Sequence, residues 1–367
     1  MSSSSVQPAA IVLADGSLFE GEAIGAHPDG GVTTGEFVFN TVLSGYQEVI
    51  SDPSYAGQVV TFTYPHIGNY GVNRADNEAL RPHCRGVVVR DLSRRASNHR
   101  SEGSLEDWLT RHGVPGIAGV DTRRLTKHLR DHGAMPGAFG TADESELTSA
   151  AGGAGGTDGH DYVIDVTDPA GRTVPSVNGA PRRIVALDLG VKDTIVEQLV
   201  QLGSVDVVGS GTSAADVLAR EPDGVFISNG PGDPAAVAGV AATVDALLGE
   251  VPIFGICMGQ QMLASALGAD TYKLPFGHHG GNHPVQDLDT GRVEITSQNH
   301  NYCVDPDQLT GARVTHRNLN DGTLEGFACT EVAAFAVQYH PEAGPGPHDS
   351  RYLFGRFAEL MDRKGRP

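Results

Sequence analysis

The sequence predicts a doubly wound, mostly parallel α/β sheet in its C-terminal half, preceded by a sheet-rich α+β domain. From residue 182 onward, continuous apolar strands alternate with amphipathic helices, a pattern typical of a parallel sheet covered on both faces. Earlier in the chain, short β-branched runs are separated by turn residues. The 367 residues also exceed the usual length of one domain, about 100–200 residues. We therefore expect an N-terminal domain at 1–145, a linker at 146–181 and a second domain at 182–367.

The N-terminal half contains strand runs and two helices with recognisable starts. Strands are predicted at 59–63 and 86–89, where β-branched residues dominate. One helix is expected to begin after Ser104, which starts a capping-type pattern. Another is expected over 122–132, with Asp121 as its N-cap.

The predicted linker is rich in small residues. Residues 150–156 are all Ala or Gly, and such a composition cannot hold a core of its own. Apolar side chains interrupt the stretch at 162–166, so part of it is expected to dock on a neighbouring surface.

The second domain has its most distinctive segments at strand ends. Its apolar strands read IVALDLG, VDVVGS, GVFIS and VPIFGI, each followed by a helical pattern. In doubly wound sheets the ligand lies beyond the carboxyl ends of the strands. Cys257 and the loop at 228–234, SNGPGDP, both follow strand ends, so we expect them to face each other.

Cys257 lies in a cysteine version of the nucleophile elbow. Gly255 and Gly259 flank it between an apolar run and a helix-forming stretch, where they allow a tight, strained turn. The amides at the start of the helix carry partial positive charge, which favours thiolate over thiol. A buried cysteine acting as a small hydrophobe is the alternative, and the flanking glycines favour the elbow.

The loop at 228–234 can supply an oxyanion hole. Pro231 has no N–H, so the donors at its bend are the amides of Gly230 and Gly232. The amide of Met258, which follows the cysteine, would be the second donor. Asp233 followed by proline is also an ordinary helix start, and both interpretations can hold together.

A base and a group to orient it follow a strand near the C-terminus. The run AFAVQYH ends at His340, and Glu342 lies two residues further, on the same side if the chain stays extended. The carboxylate can fix the imidazole, which in turn can pair with the thiol of Cys257. A surface coincidence is the alternative for one of 15 histidines, but an elbow cysteine in the same domain favours function.

Composition excludes several classes of function. Four scattered cysteines without a C-x-x-C pair argue against structural zinc and disulfides and predict reduced thiols and a cytoplasmic protein. A net charge of -19 argues against nucleic-acid binding.

No apolar run approaches the ~18 residues that would cross a membrane. Residues 1–10 lack the features of a secretory signal and are predicted to be a frayed tail.

Together these motifs resemble a known family. GICMGQQ around Cys257, SNGPGDP at 228–234 and the terminal His340-Pro341-Glu342 are similar to class I glutamine amidotransferases. In the first half, the segments 39–55, 63–71 and 119–130 resemble the small chain of carbamoyl-phosphate synthetase. Two further segments of the second half, 277–284 and 298–300, are also shared with that family, so the resemblance covers nearly the whole chain.

The resemblance implies roles for particular residues. It implies a class I amidotransferase-like fold, a triad of Cys257, His340 and Glu342, and a glutamine site. The implied glutamine-site residues are Ser54, Gly230, Gly232, Met258, Gln261, Asn299, Asn301 and Tyr302. Many relatives have glycine at Asn301, but Asn tolerates left-handed backbone, so a main-chain contact is expected to survive. Many have histidine at Gln260, a change expected to be mild because the position is outside the triad.

The resemblance also implies a reaction and a partner. The chain would hydrolyse L-glutamine through a thioester on Cys257 and pass ammonia to a large chain in a heterodimer. That large chain would use ATP, with its metal ions, to make carbamoyl phosphate for arginine and pyrimidine biosynthesis. No cofactor is expected on this chain, whose sequence has no G-x-x-x-x-G-K-[ST] nucleotide loop. The domain at 1–145 would be the large-chain interface.

Other interpretations remain open at this stage. The chain could serve another amidotransferase, although subunits such as that of anthranilate synthase usually lack a long N-terminal domain. It could be a non-catalytic subunit that only binds a partner, or a cysteine peptidase. His278, His279 and His283 suggest a metal site, but thiolate chemistry needs none, and a structural or interface loop is the preferred interpretation.

Overall fold

The structure is a computed structural model that describes residues 7–363. The described chain divides into two compact units, the first formed by 7–158 with 275–279 and the second by 159–274 with 280–363. The division falls inside the predicted linker, and the domain limits themselves stay a prediction. The first six residues of the predicted N-terminal tail lie outside the described part, whereas residues 8–10 belong to the strand Pro8–Leu13, so the expectation of a frayed tail is wrong for them.

The first unit is built on a closed barrel of seven strands with the order β1-β2-β8-β6-β4-β3-β9. The barrel strands are β1 (Pro8–Leu13), β2 (Leu18–Gly25), β3 (Val32–Asn40), β4 (Gln58–Phe62), β6 (Gly86–Val88), β8 (Pro115–Ala118) and β9 (Met135–Gly140). A separate two-stranded ribbon joins β5 (His66–Ile67) and β7 (Asp91–Leu92). The helices are α1 (Tyr46–Ser51), α2 (Leu105–Arg111), α3 (Thr122–His132) and α4 (Glu144–Gly153). The predicted sheet-rich α+β character is confirmed.

Period-two alternation explains the barrel core. Ile11 and Leu13 of β1 join a cluster that takes side chains from all seven strands, including Phe37 and Phe139. Val12, between them, belongs to a different cluster on the other face of the strand. The barrel interior is therefore filled by the alternate residues of each strand.

The two predicted helices of this unit begin directly after the residues predicted to cap them. Ser104 Oγ accepts a hydrogen bond from the N–H of Asp107 at the start of α2. Asp121 Oδ1 accepts one from the N–H of Arg124 at the start of α3. Each cap satisfies an N–H that has no partner inside its helix.

Part of the predicted linker is folded as a helix that docks on the barrel. α4 covers the first half of the Ala- and Gly-rich run, and Asp143 caps it by accepting from the N–H of Glu146. Leu147 and Ala151, four residues apart, are buried against Val12 and Ala138. Small side chains do not prevent a helix, and one apolar stripe at this spacing is enough to dock it on the barrel.

The second unit contains a sheet of ten strands with the order β10-β12-β11-β13-β14-β19-β18-β17-β15-β16. The strands are β10 (Arg172–Val174), β11 (Arg182–Asp188), β12 (Gly203–Gly209), β13 (Gly224–Ile227), β14 (Ile253–Ile256), β15 (Thr271–Asp287), β16 (Val293–Val304), β17 (Ala312–Asn318), β18 (Leu324–Cys329) and β19 (Ala334–Val337). Within β15, residues 275–279 belong to the first unit. The five central strands lie in the order β12-β11-β13-β14-β19 and pair in parallel. Antiparallel pairing continues through β18 and β17 and joins β10 to β12.

Helices cover both faces of the parallel strands. They are α5 (Val163–Val166), α6 (Asp193–Leu199), α7 (Ala214–Leu218), α8 (Val240–Leu247), α9 (Met258–Ala266) and α10 (Tyr352–Arg363). Along β11, Val185 packs in the cluster that includes α8 and α9, whereas Ile184 packs in the cluster that includes α6 and α10. The predicted doubly wound α/β architecture is confirmed. Among the described helices, none combines the length and apolar character needed to span a bilayer.

Candidate active site

Cys257 forms the turn between β14 and α9. Its backbone has φ 55° and ψ -107°, a left-handed region that a non-glycine residue rarely adopts. Its N–H donates to the carbonyl oxygen of Val337 at 2.9 Å, which ties the turn to the end of β19. The thiol is 2% exposed and donates to the carbonyl oxygen of Asn299 at 3.5 Å. The sulfur is therefore held by the backbone of its neighbours in a strained turn.

At Gly255 and Gly259, which flank Cys257, neighbouring backbone lies too close for a side chain to fit. A Cβ on Gly259 would lie 2.1 Å from the carbonyl oxygen of Ile227 in β13. A Cβ on Gly255 would lie 2.7 Å from the carbonyl oxygen of Gly259. Without side chains at these positions, α9 can begin directly against the sheet, with its first amides beside Cys257.

His340 and Glu342 follow β19, the strand that pairs in parallel with β14. Both are buried, and His340 Nδ1 lies 2.7 Å from Glu342 Oε1. The backbone N–H of His340 also donates to the carbonyl oxygen of Ser297 at 2.9 Å. Nδ1–H therefore donates to the carboxylate, and Nε2 points away from it. Nε2 forms no hydrogen bond of ordinary geometry within residues 7–363.

Opposing effects set the charge of this pair. Burial alone lowers the pKa of His340, but the Glu342 carboxylate and the Cys257 side chain together outweigh it and raise the pKa to about 10. Burial raises the pKa of Glu342, but the nearby charges of Lys192 and His340 lower it by a larger amount. The net shift of this pKa is therefore downward. At neutral pH the site therefore holds an imidazolium and a carboxylate, with the imidazolium near the thiol.

Lys192 completes the charge balance, and sequence reasoning missed it. It is 1% exposed, and Nζ lies 3.1 Å from Glu342 Oε1. Nζ also donates to the carbonyl oxygens of Ala343 and Gly344, both at 2.7 Å. In the sequence, only its position after β11 indicated a role for Lys192, because ligand sites lie at the carboxyl edge of a parallel sheet.

The loop at 228–234 follows β13, the strand beside β14. A Cβ on Gly230 would lie 2.3 Å from the carbonyl oxygen of Leu189, and Gly232 has φ 89°, so neither position accepts a side chain easily. Asp233 accepts from the N–H of Ala235 and begins a short 3₁₀ turn. The loop thus has both the helix-start geometry and glycine amides at the edge of the sheet.

Most of the remaining glutamine-site candidates lie on α9 or β16. Met258 is the first residue of α9. Gln261 Nε2 donates to the carbonyl oxygen of Tyr302 at 2.9 Å and to Gln338 Oε1 at 3.1 Å. Asn301 lies in β16 and does not have positive φ, so the expected tolerance of left-handed backbone is not used there.

Other predicted residues have different surroundings. Ser54 belongs to the first unit, where its N–H donates to Asp52 Oδ1 at 2.9 Å in a short 3₁₀ turn. Gln260 is fully buried, and neither polar atom of its amide has a hydrogen-bond partner in the described part of the chain. Of the histidines considered for metal binding, two, at 278 and 279, belong to the first unit and the third, at 283, to the second.

Comparisons with known proteins agree with this division. Residues 11–139 match the family described as carbamoyl-phosphate synthase small chain, CPSase domain, and residues 185–360 match glutamine amidotransferase class-I. The carbamoyl phosphate synthase small chain of Syntrophotalea carbinolica is 48% identical over 371 residues, 97% of this chain and 98% of that one. That of Thioalkalivibrio sulfidiphilus is 50% identical over 378 residues, 98% of each. A glutamine amidotransferase structure from Thermotoga maritima is 19% identical over 51% of this chain and 86% of that one, with a TM-score of 0.36.

The second unit is thus a class I glutamine amidotransferase domain, with a buried cysteine at the carboxyl edge of its parallel sheet. The N-terminal unit narrows the class further, because its residues 11–139 match the CPSase domain of the carbamoyl-phosphate synthase small chain. The chain belongs to the carbamoyl phosphate synthase small chain family.

Proposed function

We propose that this chain is the glutaminase subunit of a glutamine-hydrolysing carbamoyl phosphate synthase. It releases ammonia from glutamine and delivers it to a large chain. The observation that carries the proposal is the buried group of Cys257, His340 and Glu342 at the carboxyl edge of a parallel sheet. Family membership over nearly the full length of the chain supports it.

In the first half of the reaction, the Cys257 thiolate attacks the side-chain amide carbon of glutamine. The carbonyl oxygen becomes an oxyanion, and the amides of Gly230 and Met258 are the proposed donors to it. His340, which its carboxylate partner keeps protonated, gives its proton to the departing ammonia. The carbon–nitrogen bond breaks, and a γ-glutamyl thioester remains on sulfur.

In the second half, His340 begins as the neutral imidazole and takes a proton from water. The resulting hydroxide attacks the thioester, the sulfur leaves as thiolate, and glutamate is released. Glu342 accepts from Nδ1–H in both halves and so keeps Nε2 as the nitrogen that gives up the proton in the first half and takes one in the second. The proposed glutamine contacts are Ser54, Gly230, Gly232, Met258, Gln261, Asn299, Asn301 and Tyr302.

The rest of the reaction belongs to the partner. We infer that the large chain carries the ATP sites and their metal ions, and that the two chains form a cytoplasmic heterodimer. Its product, carbamoyl phosphate, would supply arginine and pyrimidine biosynthesis. On this proposal no cofactor is needed on the small chain, because a thiolate and an imidazole perform the hydrolysis.

Ammonia release from glutamine tests the proposal. We expect the purified chain to release ammonia, faster with its large chain present, and Cys257→Ser to lose at least about 10³-fold of this rate. Ammonia release that does not respond to the large chain would contradict the synthase assignment. Absence of ammonia in every mixture would leave a non-catalytic, partner-binding subunit as the surviving alternative.

A further inference from the structure

Gln338 is a fully buried amide at a position where the alternation of its strand predicts an apolar residue. In β19, Ala334 and Ala336 pack in the apolar cluster that includes residues of α9. Val337 and Tyr339 pack in the cluster on the other face of the sheet. Gln338 lies between these two and therefore continues the row of alanines on the α9 side. An amide buried in such a row costs free energy unless both of its ends form hydrogen bonds.

Only one end of this amide is bonded. Gln338 Oε1 accepts a hydrogen bond from Gln261 Nε2 at 3.1 Å. The other end, Gln338 Nε2, is buried and has no hydrogen-bond partner among residues 7–363. A buried donor without an acceptor destabilises the folded chain. Stability therefore does not explain a glutamine at this position, whereas its contact with Gln261 can.

The backbone carbonyl of Tyr302 determines the orientation of both amides. A carbonyl oxygen can only accept, so the atom of Gln261 that lies 2.9 Å from it is Nε2. The atom of Gln338 that contacts the same nitrogen must then be Oε1. Both hydrogens of Gln261 Nε2 are used by these two acceptors. Gln261 Oε1 is therefore the end of the amide that can accept from a ligand.

Gln261 lies one helical turn from the nucleophile. Its backbone N–H donates to the carbonyl oxygen of Cys257 at 3.2 Å, and one turn of an α-helix rises about 5.4 Å. The thiol of Cys257 and the amide of Gln261 both donate to backbone carbonyls of β16, those of Asn299 and Tyr302. The Gln261 amide is thus oriented close to the reacting sulfur, with Gln338 as its second acceptor.

We propose that Gln338 is a positioning residue for glutamine binding, because it holds the Gln261 amide with Oε1 available to the substrate. The inference rests on the proposed function, which supplies the substrate, and adds a residue that acts through Gln261. Glutamine carries two groups of N–H donors, the α-ammonium and the side-chain amide, and each can donate to such an oxygen. A Gln261 amide turned the other way would present its own N–H groups to these donors, and the hydrogen bond would be lost.

Steady-state ammonia release by the full-length chain tests this role. Gln338→Met keeps the length of the side chain and removes the acceptor. We expect it to raise KM for glutamine about tenfold and to leave kcat within about twofold, because the lost contact binds substrate and transition state alike. Gln338→Glu keeps an acceptor oxygen whether or not the carboxyl is protonated, so its KM should stay within about threefold of the wild type.

Unfolding of the same variant distinguishes positioning from a structural role. Gln338→Met also removes the buried Nε2 donor that lacks a partner, so the midpoint of urea unfolding should stay the same or rise. A residue that serves only the fold would give a lower midpoint together with the raised KM, and that result would contradict the proposal.

A double-variant cycle with Gln261 tests whether the two side chains act together. Gln261→Met should raise KM about tenfold or more, since it removes the proposed contact itself. Adding Gln338→Met to it should change KM by less than about twofold, because no amide is left to orient.

Thr315→Val is the matched control. It removes a buried hydroxyl from β17 of the same sheet, where Oγ1 lies 2.8 Å from His316 Nδ1, and it should leave KM unchanged. An equal rise of KM in this control, a wild-type KM in Gln338→Met, a KM in Gln338→Glu as high as in Gln338→Met, or multiplied effects in the double variant would each overturn the inference and leave the glutaminase assignment intact. A wild-type chain that releases no ammonia, alone or with its large chain, would overturn the proposed function and this inference with it.

Discussion

His340 and Glu342 are two residues apart in the sequence, and in the structure they form a buried ion pair 2.7 Å long. We expect Glu342→Gln to lower kcat for glutamine hydrolysis by about 10²–10⁴-fold, because the imidazole loses its orientation and the charge that keeps it protonated. KM should change much less, since the carboxylate faces the ring. Steady-state assays of ammonia release check this, and an unchanged kcat would remove Glu342 from the mechanism.

The same pair predicts a pH dependence of stability. The pKa of His340 is raised from 6.5 to about 10 in the folded chain, so this group stabilises the fold fully below pH 6.5. The contribution is lost as pH rises through about 10. We therefore expect the free energy of unfolding to fall between these values in the wild type, and to fall less in Glu342→Gln. Urea titrations at a series of pH values measure the difference, and parallel curves would contradict the shift.

Lys192 belongs to the same buried network, because it contacts Glu342 and two backbone carbonyls. Lys192→Met should lower the free energy of unfolding by about 3–5 kcal/mol, since it leaves buried acceptors without a donor. In the double variant with Glu342→Gln, the loss should be smaller than the sum of the single losses by about 1–3 kcal/mol. Additive losses in urea unfolding would show that the two side chains do not interact.

Among the elements, the turn between β14 and α9 depends on the absence of a side chain. Gly259→Ala places a methyl group 2.1 Å from a backbone oxygen of β13, so either α9 or the sheet must shift. We expect a loss of at least about 3 kcal/mol in unfolding free energy and of glutaminase activity in any folded fraction. Gly355→Ala is the control, because its position in α10 is open, and it should be neutral or stabilise by up to about 1 kcal/mol. Equal effects of the two variants would refute the steric argument.

α4 offers a second test at this scale. Leu147 is fully buried against the barrel, although it lies in a stretch whose composition resembles a linker. Leu147→Ala should cost about 2–5 kcal/mol, whereas Ser149→Ala on the exposed side of the helix should change stability by less than about 0.5 kcal/mol. Chemical denaturation compares them, and a neutral Leu147→Ala would mean that α4 is not part of the folded unit.

For the whole molecule, the four cysteines are free and differ in their surroundings. Burial raises the pKa of Cys84 to about 12, that of Cys329 to about 11 and that of Cys303 well above its usual value. These three thiols should therefore react slowly with iodoacetamide at neutral pH, and Cys257 should be modified first, with loss of activity. Peptide mass spectrometry of the native chain checks the order, and early labelling of Cys84 or Cys303 would contradict it.

Local sequence was sufficient for features that depend on neighbours in the chain. The caps at Ser104 and Asp121, the strand–turn–helix at Cys257 and the separation of His340 from Glu342 all follow from short-range geometry. The period of apolar residues was equally sufficient for the alternating strands and helices of the second unit, because a parallel sheet buried on both faces demands continuous apolar strands.

Only the tertiary structure decided which distant residues share an environment. Lys192 meets Glu342 because β11 and β19 end at the same edge of one sheet, a fact that no local pattern around the lysine contains. The burial of Leu147 likewise depends on Val12 and Ala138, which belong to strands far away in the sequence. Closure of the seven strands into a barrel is also nonlocal, since β1 pairs with β9 across most of the first unit. The periodicity of apolar residues predicts which face of a helix or strand is buried. Which strands pair with each other depends on contacts between residues far apart in the sequence, and local patterns do not predict these contacts.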